Sequence, residues 1–195
     1  MRYLLLVFLI LFNLGCSTKE DISIPRKDYY AKPVTKLSIQ NMYKVDEKLY
    51  RSAQPSAQDF KKLYDFGIRY DLNLRQWHDD EDELKGIDIK TYNIGINASR
   101  MTYEQLVEAV AYLKNTDAKT LVHCRHGSDR TGTVVAGYRI AIQNWSKEKA
   151  IDEFINGGFG YHSFWFANLP SLLKSLDVEK FKKDIDKFNI IKNAK

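Results

Sequence analysis

From Met42 onward, short apolar runs alternate with segments whose apolar residues recur every three or four positions, the pattern of strands interleaved with amphipathic helices. Met42 to Val45 and Lys48 to Arg51 read as short strands about an Asp46-Glu47 turn. Ser56 stands where a helix N-cap belongs, Phe60, Leu63 and Tyr64 share one face of the helix behind it, and Gly67 stops it. Ile68 to Leu74 and Ile87 to Ile94 read as strands on either side of an acidic loop, Asp79 to Glu83. Thr102 and Gln105 have capping-box spacing ahead of Leu106, Val110 and Leu113, which fall on one helical face. Thr120 to His123 reads as a buried strand and Cys124 to Arg130 as a loop. Helices follow over Thr131 to Gln143 and Ser146 to Ile155, and again after the Gly157-Gly158-Phe159-Gly160 turn. Strands alternating with helices predict an α/β domain over residues 41–195, with a central, mostly parallel sheet flanked by helices.

The chain before Met42 is of a different kind. A cation at Arg2 precedes the apolar run Leu4 to Phe12, which predicts a secretory signal peptide over residues 1–15, too short to span a bilayer. The run ends Asn13-Leu14-Gly15-Cys16. A small residue followed by Cys resembles the lipobox of bacterial lipoproteins, and the resemblance implies that Cys16 is the first mature residue and carries a lipid. Residues 17–40, with Pro25, Pro33 and few regularly spaced apolar positions, read as a tether. The expectation is an exported monomer of the cell envelope, held off a membrane by its N-terminus.

Composition narrows the class. With 195 residues, 44% of them hydrophobic and 28% charged, one core can form, and neither a disordered chain nor a multidomain enzyme fits. The net charge of +5 favours anionic ligands but is too small to imply nucleic acid. Two cysteines, Cys16 and Cys124, cannot build a disulfide framework.

The chemistry concentrates in His123-Cys124-Arg125-His126-Gly127-Ser128-Asp129-Arg130-Thr131-Gly132. Between a strand and a helix, such a loop directs backbone N–H groups and a helix N-terminus at the space above the cysteine, a geometry that binds a tetrahedral dianion. The same field stabilises a thiolate. Arg130 offers a planar guanidinium that grips two phosphate oxygens at once, and Gly127 permits the positive φ of a tight anion nest. The segment closely resembles the H-C-x-x-G-x-x-R-[S/T]-G signature of the cysteine-based protein tyrosine and dual-specificity phosphatases. Leu49-Tyr50-Arg51-Ser52-Ala53-Gln54-Pro55 and Leu72-Asn73-Leu74-Arg75 are similar to the early strands of their compact, atypical members. The resemblance implies metal-free and cofactor-free hydrolysis of a phosphomonoester through a phosphocysteine. Cys124 would attack phosphorus and Arg130 hold the equatorial oxygens. Arg125, His126, Gly127 and Ser128 would surround the substrate, with Thr131 donating to the sulfur.

In most tyrosine phosphatases a separate loop supplies an aspartic acid that protonates the leaving group. Here that loop would fall near Asn93 to Met101, which contains no acid. Asp129 is the preferred replacement, with a helix-capping role as its alternative; Asp79, Asp80 and Asp82 are either rival donors or a solvated turn. His123, opposite Cys124 on its strand, is expected to prop the loop from behind. Arg125 and His126 either charge the pocket rim or point into solvent. Gly158 to His162 with Trp165, and likewise Trp77 and His78, read as pocket wall or as packing. Phe181, Ile185 and Phe188 predict a surface helix, with a membrane-facing role as a weaker option. The leading expectation is a phosphotyrosine or dual-specificity protein phosphatase; the alternative is an inositol phosphate or phosphoinositide phosphatase. A rhodanese-like sulfur transferase would not need Arg130 followed by Thr131, and a noncatalytic phosphate binder would not need both Cys124 and Arg130.

Overall fold

Residues 26–188 are described by the computed structural model; the expected signal peptide, Cys16 and the first part of the expected tether lie outside them. Strands β1 (Lys32–Pro33), β2 (Tyr43–Lys44), β3 (Leu49–Ser52), β4 (Ile68–Arg75), β5 (Lys90–Ile96) and β6 (Lys119–His123) form one sheet in the order β1-β2-β3-β6-β4-β5. The β3–β6, β6–β4 and β4–β5 pairs are parallel, and β1 and β2 close one edge antiparallel. The expected mostly parallel sheet is therefore present. Among the described residues six α-helices accompany it: α1 (Ala57–Asp65), α2 (Tyr103–Asn115), α3 (Asp129–Ala141), α4 (Lys147–Asn156), α5 (Asn168–Lys174) and α6 (Val178–Lys187).

Strand periodicity divides the core. Leu121 and Ile68 face α1 and pack with its Phe60 and Leu63, whereas Val122, Cys124, Leu72 and Leu74 face the other five helices. Helix α3 runs through the middle of that second layer, against α2, α4, α5 and α6, with residues Thr131 to Ala141 all buried, so it needs no polar face. The capping residues read from the sequence hold: Ser56 and Thr102 each accept from the N3 backbone and complete a capping box. The strand expected from Ile87 begins three residues later. Ile87 N–H donates to the Leu84 carbonyl and Ile89 N–H to Ile87, a turn that buries Leu84 and Ile89 over α1. In α6, Phe181 and Ile185 are buried against the domain, which makes it the expected surface helix.

The residues expected to form a tether are not all free of the domain. Residues 26–40 belong to the folded domain, because their charges and aromatics have distant partners that a local pattern cannot reveal. Lys27, Tyr29 and Tyr30 converge on Asp152 of α4 at 2.6, 2.7 and 2.7 Å, and Arg26 lies 4.7 Å from the Tyr43 ring centroid and 5.0 Å from that of Phe159. The Ala31 N–H donates to Glu153 Oε1 at 2.6 Å. Glu153 in turn makes a buried two-pronged pair with Arg139, 2.8 Å on each prong, joining α3, α4 and the N-terminal strap.

Candidate active site at the carboxyl ends of the parallel strands

In register, Ser52 of β3 and Asn73 of β4 flank His123 of β6, and Arg75 pairs with Ile96 of β5, so the parallel strands end at one level. Crevices form at such ends because the helices begin there. The loop from Cys124 to Ser128 lies in this crevice and feeds α3. Its carbonyls are drawn outward by neighbours. Gln54 N–H donates to the Arg125 carbonyl at 3.3 Å, Asn41 Nδ2 to that of His126 at 2.8 Å and Arg51 Nη2 to that of Gly127 at 2.6 Å. With the carbonyls outward, the opposite N–H groups turn toward the space above the sulfur. Gly127 sits at φ +71°, and a Cβ there would lie 2.5 Å from the Ser52 carbonyl carbon and oxygen, backbone that cannot yield. Gly132 brings the first turn of α3 against Phe154, whose ring would meet an added Cβ at 2.3 Å.

Cys124 is buried. Burial pushes its thiol up, but the Arg130 charge, the Thr131 hydroxyl and the N–H groups of Thr131 and Gly127 outweigh that and hold it below the usual thiol range. Thr131 Oγ1 has no other partner. Arg130 Nη1 rests against the carbonyls of Leu74 and Ile96 at 3.3 and 3.2 Å, which fixes the guanidinium beside the loop, and its buried Nε has no partner among the described residues. A cleft of about 330 Å³ opens there. Arg75, Arg125 and Arg130 charge it, Trp77 and Phe166 supply aromatic walls, and Asn97 to Ser99 line its floor without a carboxylate. Trp77 is 88% exposed.

The remaining expected residues separate into distinct places. Arg125 lines the cleft, while His126 stands exposed on the rim with its ring centroid 5.6 Å from that of His162. Ser128 turns its hydroxyl away to the Phe159 carbonyl at 2.7 Å, so only its backbone faces the cradle. Asp129, expected to donate a proton itself, is 5% exposed, and both its oxygens are occupied by His162: Oδ1 accepts the backbone N–H and Oδ2 faces ring Nδ1, each at 2.9 Å. Of the aromatic stretch, Phe159 is buried and Tyr161 packs on Phe154 at 4.5 Å between centroids, while Phe164 and Trp165 are exposed. His126, Asp129 and His162 bring three ligand-type atoms within 4.8 Å of one another, but the adjacent Arg125 and Arg130 charges make this a poor place for a cation.

His123, expected to prop the loop by hydrogen bonds, lies buried behind it and is bonded instead to two carboxylates that the sequence did not reveal. Its Nε2 lies 2.9 Å from Asp80 Oδ2 and 3.3 Å from Asp71 Oδ1, all three side chains fully buried. Asp80 is thereby removed from the solvated turn expected around it. Burial alone would push the His123 imidazole down; the two carboxylates, Asp71 first, outweigh it, and the pKa is pushed up to about 10. Asp80 also accepts from Gln54 at 2.5 Å, and Gln54 accepts from Arg75 at 2.9 Å, so a buried chain of polar contacts joins the back of the loop to the cleft wall. Arg51, which the sequence marks only as part of the Leu49 to Pro55 motif, belongs to the site as well. It is fully buried, with its guanidinium 3.8 Å from the Phe159 ring centroid, and burial pushes its pKa down to about 10. An arginine inside a four-residue strand buried throughout is the signal that marks it.

A thiol held toward its anion beneath a guanidinium and an amide cradle, on this sheet, defines a cysteine-based phosphatase. The sequence model of the tyrosine phosphatase family matches residues 36–163, and the chain belongs to that family. It is 31% identical to the dual specificity protein phosphatase TpbA of Pseudomonas aeruginosa strain UCBPP-PA14 over 163 residues, 82% of this chain and 73% of the relative. It is 28% identical to the inositol diphosphatase DSP5 of Arabidopsis thaliana, over 58% of this chain and 60% of that one. Its fold superposes on the crystal structure of a cysteine-to-serine form of P. aeruginosa TpbA in complex with pTyr with a TM-score of 0.74 at 27% identity, covering 84% of this chain and 99% of the other. The Siw14 catalytic core shares the fold, with a TM-score of 0.65 at 23% identity over 76% and 92% of the two chains.

Proposed function

We propose that this chain hydrolyses phosphotyrosine in proteins, with dual-specificity activity on phosphoserine and phosphothreonine. The observation that carries this reading is the cleft itself, whose lining joins Arg130 to Trp77 and Phe166 and so offers aromatic surface to a phenyl ring whose phosphate enters the cradle. The Cys124 thiolate attacks phosphorus, forming the S–P bond as the P–O bond breaks and the leaving oxygen takes a proton. Arg130 grips two equatorial oxygens and the loop N–H groups hold the rest. Thr131 donates to the sulfur as it leaves, Asp129 serves the proton side of the reaction, and water cleaves the phosphocysteine to release inorganic phosphate and restore the thiolate. No cofactor enters these steps.

A second reading rests on charge. Arg75, Arg125 and Arg130 face one cleft, and three guanidinium groups suit a ligand with several phosphates, as an inositol phosphate has. Initial rates from a phosphotyrosyl peptide and from an inositol pyrophosphate at matched concentrations separate the two. The first reading expects the peptide to be preferred by at least tenfold in kcat/KM, and preference for the inositol substrate overturns it in favour of the second.

We also propose export to the cell envelope and anchoring of a monomeric enzyme through a lipid on Cys16. The support is the apolar run Leu4 to Phe12 followed by Gly15-Cys16. Metabolic labelling with a fatty-acid analogue is expected to mark the wild-type chain and not Cys16→Ser; equal or absent labelling of both removes the anchor.

A further inference from the structure

Phosphocysteine chemistry with a poor leaving group needs a proton donor, and the cleft floor from Asn97 to Ser99, where the family usually keeps one, has none. Asp129 is close to the reaction but poorly disposed to give a proton, since it is 5% exposed and both its oxygens face His162. His162 has the opposite character. Its side chain is 42% exposed, and its Nδ1 is committed to Asp129 Oδ2 at 2.9 Å, while its own backbone N–H fixes Asp129 Oδ1 at the same distance. Two contacts to one carboxylate leave the ring little freedom to turn. An Nδ1–H donated to a carboxylate sets the tautomer and leaves Nε2 as the nitrogen that exchanges protons.

The place of the ring is as informative as its partner. It packs between His126 of the cradle loop, with centroids 5.6 Å apart, and Phe166 of the cleft wall at 6.4 Å. The titratable groups shown beside it are Asp129, which it touches, and His126, on which Arg125 and Arg130 also act.

We propose that His162 is the general acid of this enzyme, with Asp129 as its positioning residue; the inference rests on the phosphatase reading above. As the Cys124 sulfur bonds to phosphorus, the P–O bond breaks with its electron pair on the leaving oxygen, which takes the proton from His162 Nε2. The neutral imidazole then accepts a proton from the water that attacks the phosphocysteine, and the thiolate departs with His162 reprotonated. The carboxylate stays ionised throughout and holds the imidazolium in place, the division of labour of an aspartate–histidine pair.

The test is the dependence of rate on leaving group, which a structural role for His162 would not alter. Wild type, His162→Asn, Asp129→Asn and Cys124→Ser are compared on aryl phosphates running from 4-nitrophenyl to phenyl. Wild type is expected to be nearly flat across the series. His162→Asn is expected to lose only a few-fold with 4-nitrophenyl phosphate and about 10²- to 10⁴-fold with phenyl phosphate. Asp129→Asn is expected to steepen the series in the same sense, by less. Equal losses across the series, or an unchanged rate with phenyl phosphate in His162→Asn, overturn the proposal. So does a steep series in Asp129→Asn beside a flat one in His162→Asn, which would return the proton to the carboxylate. Circular dichroism confirms that the variants fold. A wild type no more active than Cys124→Ser on every ester would instead sink the phosphatase reading.

Discussion

Cys124→Ser is expected to lower phosphate release by at least about 10⁴-fold while leaving phosphopeptide binding within a few-fold of wild type. The cradle stabilises a thiolate through Arg130, the Thr131 hydroxyl and the N–H groups of Thr131 and Gly127, and these contacts shift an ionisation that the thiol already approaches near neutrality. A serine hydroxyl ionises so far above that range that the same field leaves it protonated, and the nucleophile is lost with little change in shape. Single-turnover assays and calorimetric titration with a phosphotyrosyl peptide read the two quantities separately. The same field predicts alkylation of the wild type by iodoacetamide persisting below pH ~8.5, where an ordinary cysteine is mostly protonated. Loss of binding together with turnover in the serine variant would mean that the sulfur holds the loop in shape rather than attacking phosphorus.

Arg130→Lys is expected to cost about 10²- to 10³-fold in kcat, the scale of removing a preorganised donor to developing charge. A lysine ammonium is a point charge on a flexible stem and cannot span two phosphate oxygens in one plane. It also cannot keep the position that the Leu74 and Ile96 carbonyls give the guanidinium. Rates with 4-nitrophenyl phosphate and inhibition by inorganic phosphate are expected to weaken together. A loss below tenfold would assign most of the anion binding to the backbone N–H groups.

The parts of this molecule that were legible in the sequence are those whose cause is local. Ser56 and Thr102 announce helices because a cap and its N3 partner lie three residues apart. Cys124, Gly127 and Arg130 announce an anion site because one strand–loop–helix turn carries all three. What escaped depends on partners far along the chain. Asp80 looks like part of an acidic turn until His123, 43 residues away, is folded against it, and Lys27 finds Asp152 across 125 residues. The bond between Asp129 and His162 spans 33 residues and crosses from α3 to the loop after α4, so nothing beside Asp129 in the sequence points to the imidazole it holds. Local pattern reports the register of a strand and the ends of a helix, whereas the identity of a proton donor is set by which side chains tertiary packing brings together.

The packing of Arg26 and Lys27 on the domain bears on the proposed anchor. If Cys16 carries the lipid, nine residues separate it from Arg26, the first described residue and one already packed on the domain, and a fully stretched chain over that separation reaches no more than about 35 Å. That is comparable with the width of the domain itself. A catalyst so tied searches a thin shell above a surface instead of a volume, and phosphate groups borne by its membrane neighbours would be presented to it at high effective concentration.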